Sequence, residues 1–153
     1  FSDWAERGKA CYADLLRLVD EDTAAFNAIM DAFGLPKSTD DEKSARSAAI
    51  QAATKRAIEV PLAVMRRAFD AFDVVEAMAK EGNPNSVSDA GVGALALRSA
   101  VLGAFLNVKI NASGLKDKAF AEAAIAEATT IAANAQAREA AVLAIVESKI
   151  AEG

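Results

Sequence analysis

The reading of this chain turns on Gly82–Asn111, GNPNSVSDAGVGALALRSAVLGAFLNVKIN. It opens as a polar loop, Gly82-Asn83-Pro84-Asn85, and becomes a long run of small and apolar residues. Gly82 is free to take a positive φ and Pro84 lacks a backbone donor, so the loop interrupts any helix that reaches it. Ser86 and Ser88 are good N-caps, and a helix is expected to restart near Ser88. At about 100° per residue, Asp89, Gly93, Ala96, Ala100, Gly103, Ala104, Asn107 and Asn111 share one face of it. That face is small in the middle and polar at both ends. One reading is a groove for a flat heteroaromatic ligand, with a carboxylate and two amides to orient it. The other is close helix packing, with the Asn side chains tying down loops. Leu95, Val101, Leu102 and Leu106, on the flanking and opposite faces, are expected in the core.

Outward from that stretch, 153 residues suffice for one domain with a real core. The chain is 53% hydrophobic and Ala-rich, with 8 Gly and 3 Pro, which favours an all-α fold. The net charge of −5, with no Lys/Arg cluster standing out, argues against nucleic acid as a partner. A single cysteine, Cys11, has no partner for an internal disulfide and fits a reducing, cytoplasmic compartment. No signal-peptide pattern is present. Ala90–Val108 is the most apolar segment, but Arg98, Asn107 and its many small residues suit a buried helix better than a membrane span. The chain has no histidine, so acid–base chemistry falls to Asp, Glu, Lys, Tyr12 or Cys11.

Taken in order, Ser2 caps a first helix running to about Phe33, with a stripe of Cys11, Leu15, Leu18, Phe26, Ile29 and Phe33. Asp22 falls on that stripe, four residues from both Leu18 and Phe26, and is expected to project from the buried face. A carboxylate there needs a partner, hydrogen bonds or a proton. It is either a structural ion pair or an acid tuned for chemistry. Gly34 and Pro36 close the helix. Thr39-Asp40-Asp41-Glu42 is a capping box for a second helix with Ala45, Ala48, Ala49, Ala52 and Ala53 inward. Pro61 is expected to break or kink the chain, with a third helix carrying Leu62, Met65, Phe69, Phe72, Val75 and Ala79. After the central helix and a turn at Ser113–Asp117, Asp117 caps a last Ala-rich helix reaching about Ile150. The expected fold is a single-domain, all-α bundle of about five helices. No Walker loop, CxxC, GxSxG or HExxH is present, and no cluster implies a metal.

Five segments together resemble the cyclodeaminase/cyclohydrolase family of folate enzymes: Asp20–Phe26 (DEDTAAF), Phe33–Lys43 (FGLPKSTDDEK), Glu59–Leu62 (EVPL), Gly82–Val92 (GNPNSVSDAGV) and Leu106–Asp117 (LNVKINASGLKD). They span most of the chain, in family order. The chain is most similar to the bacterial formimidoyltetrahydrofolate cyclodeaminases. The family's Gly-rich opening and the Ala-rich helix after it are not among these residues. Because Phe1 already enters helical pattern, the sequence is expected to be N-terminally incomplete relative to the family.

The resemblance implies a helical domain working as a homodimer or larger assembly with a folate cleft. It places the family's catalytic aspartate, in a D-x-x-A-F pattern, at Asp22. The implied reaction converts 5-formimidoyltetrahydrofolate to 5,10-methenyltetrahydrofolate with release of ammonia, as in histidine degradation. The tetrahydrofolate derivative is the substrate, no metal is called for, and a formiminotransferase is a candidate partner. Asp22 would move the proton from N10 to the departing nitrogen. Asn83, Asp89, Asn107 and Asn111 would orient the pterin or close its rim, and Lys37 would meet the glutamate carboxylates. The alternatives are a methenyltetrahydrofolate cyclohydrolase on the same scaffold, or a helical dimerisation module without catalysis.

Overall fold

The computed structural model describes residues 2–152, so Phe1 lies outside it. Five α-helices follow one another: α1 (Ser2–Gly34), α2 (Asp40–Asp70), α3 (Phe72–Glu81), α4 (Val87–Ser113) and α5 (Lys118–Glu152). A 3-10 turn, Pro84–Ser86, leads into α4, and no strand occurs among the described residues. Two of the expected start signals work, whereas α4 begins at Val87, ahead of Ser88, and the Ser86 side chain makes no capping hydrogen bond. The Thr39 hydroxyl accepts from the Glu42 N–H while the Glu42 carboxylate accepts from the Thr39 N–H, which completes the capping box. Asp117 Oδ1 accepts from the Phe120 N–H at 3.1 Å and caps α5. Gly82, by contrast, does not need a positive φ. It sits at φ −71°, and its lack of a Cβ matters because that atom would collide with the Met78 carbonyl.

Pro61 does not end a helix. α2 runs through it to Asp70, and the chain turns at Ala71 instead. The proline's missing N–H leaves the Ala57 carbonyl without its helical donor. Asn111 of α4 supplies one, with Nδ2 donating to Ala57 O at 2.9 Å. Burial of Ile58, Val60, Pro61, Leu62 and Met65 holds the segment on both sides.

α4 is the centre of the bundle. One of its faces packs on α2, α3 and α5 through Ala94, Val101, Ala104, Phe105 and Val108. By length and composition alone α4 is apolar enough to cross a membrane, yet this face lies in the core with Ile58, Met65, Phe72 and Val142. α5 closes on it with Ala121, Ala124, Ala128, Ala132 and Ala135, then Val142 and Val146. α1 lies against α2 on the other flank, where Leu18 and Ala25 meet Ala57 and Val60.

Two expectations about the core are corrected. Leu95, Leu102 and Leu106 point outward, Leu106 with 66% of its surface exposed, and only Val101 of that group is buried. On α1 the buried row is Cys11, Leu18, Ala25 and Ala32, while Phe26 (61% exposed) and Phe33 lie outside it. Asp22 goes with Phe26 and is exposed. Cys11 and Leu18 are buried as expected, and the row then continues at a spacing of seven through the small Ala25 and Ala32. The larger residues beside it form a second, outward row.

An ion-pair network fastens the end of the bundle where α1 begins. Arg138 of α5 donates to both Asp73 and Glu76 of α3 at 2.9 Å, and Arg7 of α1 donates to Asp73 at 3.0 Å. Lys80 pairs with Glu76 at 2.5 Å. The hydrogen bond from Arg138, then that from Arg7, lowers the Asp73 pKa below its ordinary value. For Glu76 the Lys80 bond is the larger cause of a shift in the same direction.

Candidate functional site

The anticipated site residues fall at three places along the bundle. Asp22 and Asn111 occupy one level. Glu21, beside Asp22, accepts from Arg56 at 2.6 Å, and Arg56 adjoins Ala57, whose carbonyl Asn111 holds. At this level Asp22 is exposed, Asn107 is exposed one helical turn from Asn111, and Asn111 is half-buried. With Nδ2 committed to Ala57, Asn111 keeps its Oδ1 as a free acceptor. Asn111 thus ties a helix rather than the loop expected of it, and does so through one of its two ends.

Lys37 lies toward the end of the bundle where α1 closes. It lines a pocket of about 420 Å³ with Lys43, Arg46, Ser47, Ile50, Gln51 and Lys116. Arg46–Gln51 are 6 to 11 residues from Ala57 along α2, which is about 9–16 Å at 1.5 Å per residue.

Asn83 and Asp89 stand at the opposite end. They line a cavity of about 260 Å³ with Val75, Met78, Gly82, Ser86 and Ala90. Asn83 Oδ1 accepts from the Asn85 N–H at 3.0 Å, an Asx turn that shapes the loop. Asp89 and Asn107 are 18 residues apart on a continuous helix, or about 27 Å. The two polar ends of the α4 face therefore do not meet one small ligand within one chain.

The middle of that face divides. A Cβ on Gly93 would touch Val75 of α3 at 3.4 Å, so this glycine serves helix packing. At Gly103 a Cβ would meet nothing within 4 Å, and Ala96 and Ala100 are exposed with it. Apolar side chains continue around α4 as Val92, Leu95, Leu102, Leu106 and Ile110, all exposed. α1 presents a matching outward row of Tyr12, Leu16, Val19, Phe26, Met30 and Phe33. Asp22 interrupts the α1 row, and Asn107 stands beside Leu106 on the α4 row.

Sequence reasoning missed Arg56, Arg46 and Lys116. Arg46 and Lys116 come together only where helix ends meet, and Arg56 reaches Glu21 only through the packing of α2 along the middle of α1. Among the described residues no group of three or more His, Cys, Asp or Glu side chains is arranged to hold a metal ion.

These features define a bundle of long helices whose exposed polar groups lie in apolar surroundings along α1 and α4. The sequence profile of the family described as "Formiminotransferase-cyclodeaminase" matches residues 1–130. The chain is 42% identical to the methenyltetrahydrofolate cyclohydrolase of Methylorubrum extorquens over 145 residues, 95% of this chain and 70% of that one. It is 36% identical to the formimidoyltransferase-cyclodeaminase of Gallus gallus over 89% of its length, although it spans only 25% of that longer protein. The crystal structure of formiminotetrahydrofolate cyclodeaminase from Thermotoga maritima superposes with a TM-score of 0.79 at 25% identity, covering 93% of this chain and 67% of that one. The chain belongs to the formiminotransferase-cyclodeaminase family.

Proposed function

We propose that this protein works on the one-carbon bridge of tetrahydrofolate, and that its reaction is the hydrolysis of the 5,10-methenyl cation to the 10-formyl compound. The observation that carries this choice is the 42% identity to a methenyltetrahydrofolate cyclohydrolase across 95% of the chain. In the reaction, water adds its oxygen to the methenyl carbon and gives up a proton. The carbon–N5 bond then opens, N5 takes a proton, and the hydroxyl left on the carbon loses its own to become the formyl oxygen, so that one proton is released overall.

Asp22 is assigned as the carboxylate that accepts the proton from water and returns one to N5. Its negative charge would also stabilise the bound cation. Asn107 and the free Oδ1 of Asn111 are assigned to the donor–acceptor edge of the pterin. Lys37 is assigned to the glutamate carboxylates. Asn83 and Asp89, at about 27 Å, join this ligand only if another copy brings that end of α4 across. A homodimer is therefore part of the proposal, and the outward rows of α1 and α4 are the surface it would use.

A second reading is favoured by the cyclodeaminase relatives. There N10 attacks the formimidoyl carbon, the ring closes, and protonated ammonia leaves. Asp22 would carry the proton between the two nitrogens, and a formiminotransferase would supply the substrate.

The test is to follow methenyl absorbance with purified protein and 5,10-methenyltetrahydrofolate, alongside ammonia release from enzymatically generated 5-formimidoyltetrahydrofolate. Accelerated loss of methenyl absorbance supports the first reading. Ammonia release without methenyl hydrolysis puts the second in its place. Asp22→Asn is expected to keep the helical fold and lose about 10²-fold or more in turnover. Full turnover in that variant removes Asp22 from the chemistry.

A further inference from the structure

Proline is rarely kept inside a helix, because it removes one backbone donor and crowds the carbonyl four residues earlier. α2 keeps Pro61 in its interior, fully buried, and runs on to Asp70. The carbonyl left open is that of Ala57, which lies in one buried cluster with Leu18 and Ala25 of α1. Those two residues flank Asp22 by about one turn on either side. From the α4 side the same carbonyl takes the Nδ2 of Asn111 at 2.9 Å, in a half-buried position.

This bond fixes more than a helix contact. A side-chain amide has a donating end and an accepting end, and turning it over exchanges them. A carbonyl accepts and never donates, so Ala57 can hold Asn111 only by its NH2 end. The Oδ1 is thereby directed away from that carbonyl and takes no hydrogen bond among the described residues.

Asn107, one turn earlier on α4, is the contrast within the same molecule. It is exposed, its amide is tied by nothing among the described residues, and it can offer either end. With any other residue at position 61, the Ala57 carbonyl would take the helical N–H of that residue. Asn111 would then be as free to turn over as Asn107. The proline of α2 therefore acts on α4, through one carbonyl, at the level where Asp22 stands on α1.

We propose that Pro61 is a positioning residue: by leaving the Ala57 carbonyl open it locks the polarity of Asn111, so that the site presents a fixed acceptor and takes an N–H of the ligand there. The class of ligand this selects is a flat heteroaromatic with a ring or amino N–H at that edge. The pyrimidinone of a pterin offers both, at N3 and at its 2-amino group. A ligand with an acceptor at that point would set lone pair against lone pair, which Asn111 cannot relieve by turning over. Asn107 supplies whichever end the neighbouring ligand atom needs. The pterin half of this proposal rests on the folate reading above, whereas the locked orientation does not.

The experiment uses Pro61→Ala and Asn111→Ala, alone and together, in the full chain, with helix content checked by circular dichroism. The first readout needs no ligand: the side-chain NH2 signal of Asn111 in a proton–nitrogen correlation spectrum, identified by its loss in Asn111→Ala. In the wild type this NH2 is expected to exchange slowly with water, and in Pro61→Ala to exchange as fast as the exposed amides. Fast exchange in the wild type, or slow exchange kept in Pro61→Ala, overturns the proposal. The second readout is the Kd of tetrahydrofolate, held without oxygen. Pro61→Ala is expected to weaken binding about three- to tenfold, the effect of one neutral hydrogen bond, but less than about twofold in the Asn111→Ala background. Equal weakening in both backgrounds overturns the proposal, because a role in shaping α2 survives the loss of Asn111. No weakening in either background overturns its ligand half. If the wild type binds no tetrahydrofolate while the NH2 signal changes as expected, the locked orientation holds and the folate reading fails.

Discussion

α1 and α5 flank the bundle, and each carries an apolar row at three- and four-residue spacing. Their fates are opposite. The α5 row is mostly alanine, Ala121, Ala124, Ala128, Ala132 and Ala135, and is buried against α4. The outward α1 row is made of Tyr12, Leu16, Val19, Phe26, Met30 and Phe33, and is exposed. Residue size thus runs against burial. Small side chains are inside because they let two long helices approach closely. Large ones are outside because no element among the described residues lies over them. Each row also holds a charged residue. Arg138 follows Ala135 on α5 and is paired with Asp73 and Glu76. Asp22 lies between Val19 and Phe26 on α1 and has no partner among the described residues. A contiguous apolar surface of this extent marks a place where something binds.

The sharpest test of the comparison sets one phenylalanine against another. Phe72 is fully buried, and Phe72→Ala is expected to cost about 3–5 kcal/mol in urea unfolding at every protein concentration. Phe26→Ala is expected to cost less than about 0.5 kcal/mol under conditions where the chain is monomeric. It should also weaken self-association in sedimentation experiments. A loss comparable to that of Phe72→Ala in the monomer would mean that the α1 row is covered by this chain after all.

The alanine row can be broken from the other side. Ala128 has no exposed surface, so Ala128→Leu adds three carbons where α4 and α5 touch and is expected to cost about 1–3 kcal/mol. Ala133→Leu, on the exposed side of the same helix, is the control and should be near neutral. Equal effects would show that close approach is not what the alanines provide.

Which parts of this fold were legible follows from the same contrast. The starts of α2 and α5 were readable because their caps are local: Thr39 and Asp117 act through neighbours within three residues. The inward face was not. The stripe through Leu18, Phe26 and Phe33 follows the larger side chains, whereas packing selected Ala25 and Ala32. That choice carried Asp22 inward in the reading and leaves it at the surface in the structure. Pro61 was misread for another reason. Whether a proline breaks a helix depends on the fate of the carbonyl four residues earlier, and the donor for Ala57 comes from Asn111, 54 residues away. Asp22 and Lys37 could be selected from the sequence because a motif or a turn singled them out. The cations that join Lys37 are brought there only by the meeting of helix ends.

The Asn111 bond gives a third prediction, on the helix that separates α1 from α4. Asn111→Ala leaves the Ala57 carbonyl without a donor in a partly buried position, and the expected cost is about 1–3 kcal/mol. Pro61→Ala restores a backbone N–H in the same helical register. In that background Asn111→Ala should cost clearly less, so the two substitutions form a double-mutant cycle with a coupling of about 1 kcal/mol. Additive effects would mean that Asn111 stabilises the fold through something other than the proline's vacancy.

The smallest effect expected concerns the charges within the two rows, and its signature lies in pH rather than size. Arg138 holds the Asp73 pKa below its ordinary value, and it contributes to the same shift at Glu76 after Lys80. A carboxylate whose pKa is lower in the folded state binds fewer protons there than in the unfolded chain. Its stabilisation is therefore complete above the unfolded value, near pH 4, and is lost as pH falls through the folded one. In Arg138→Met the stability difference from wild type should be largest near neutral pH and shrink below about pH 4, read from urea midpoints at several pH values. A pH-independent loss in Arg138→Met would mean that Arg138 acts by packing its stem against Phe69 and Phe72, over whose rings its guanidinium lies at 6.0 Å. The two charged interruptions would then differ in burial alone, and the case for Asp22 as a group left free for chemistry would lose its contrast.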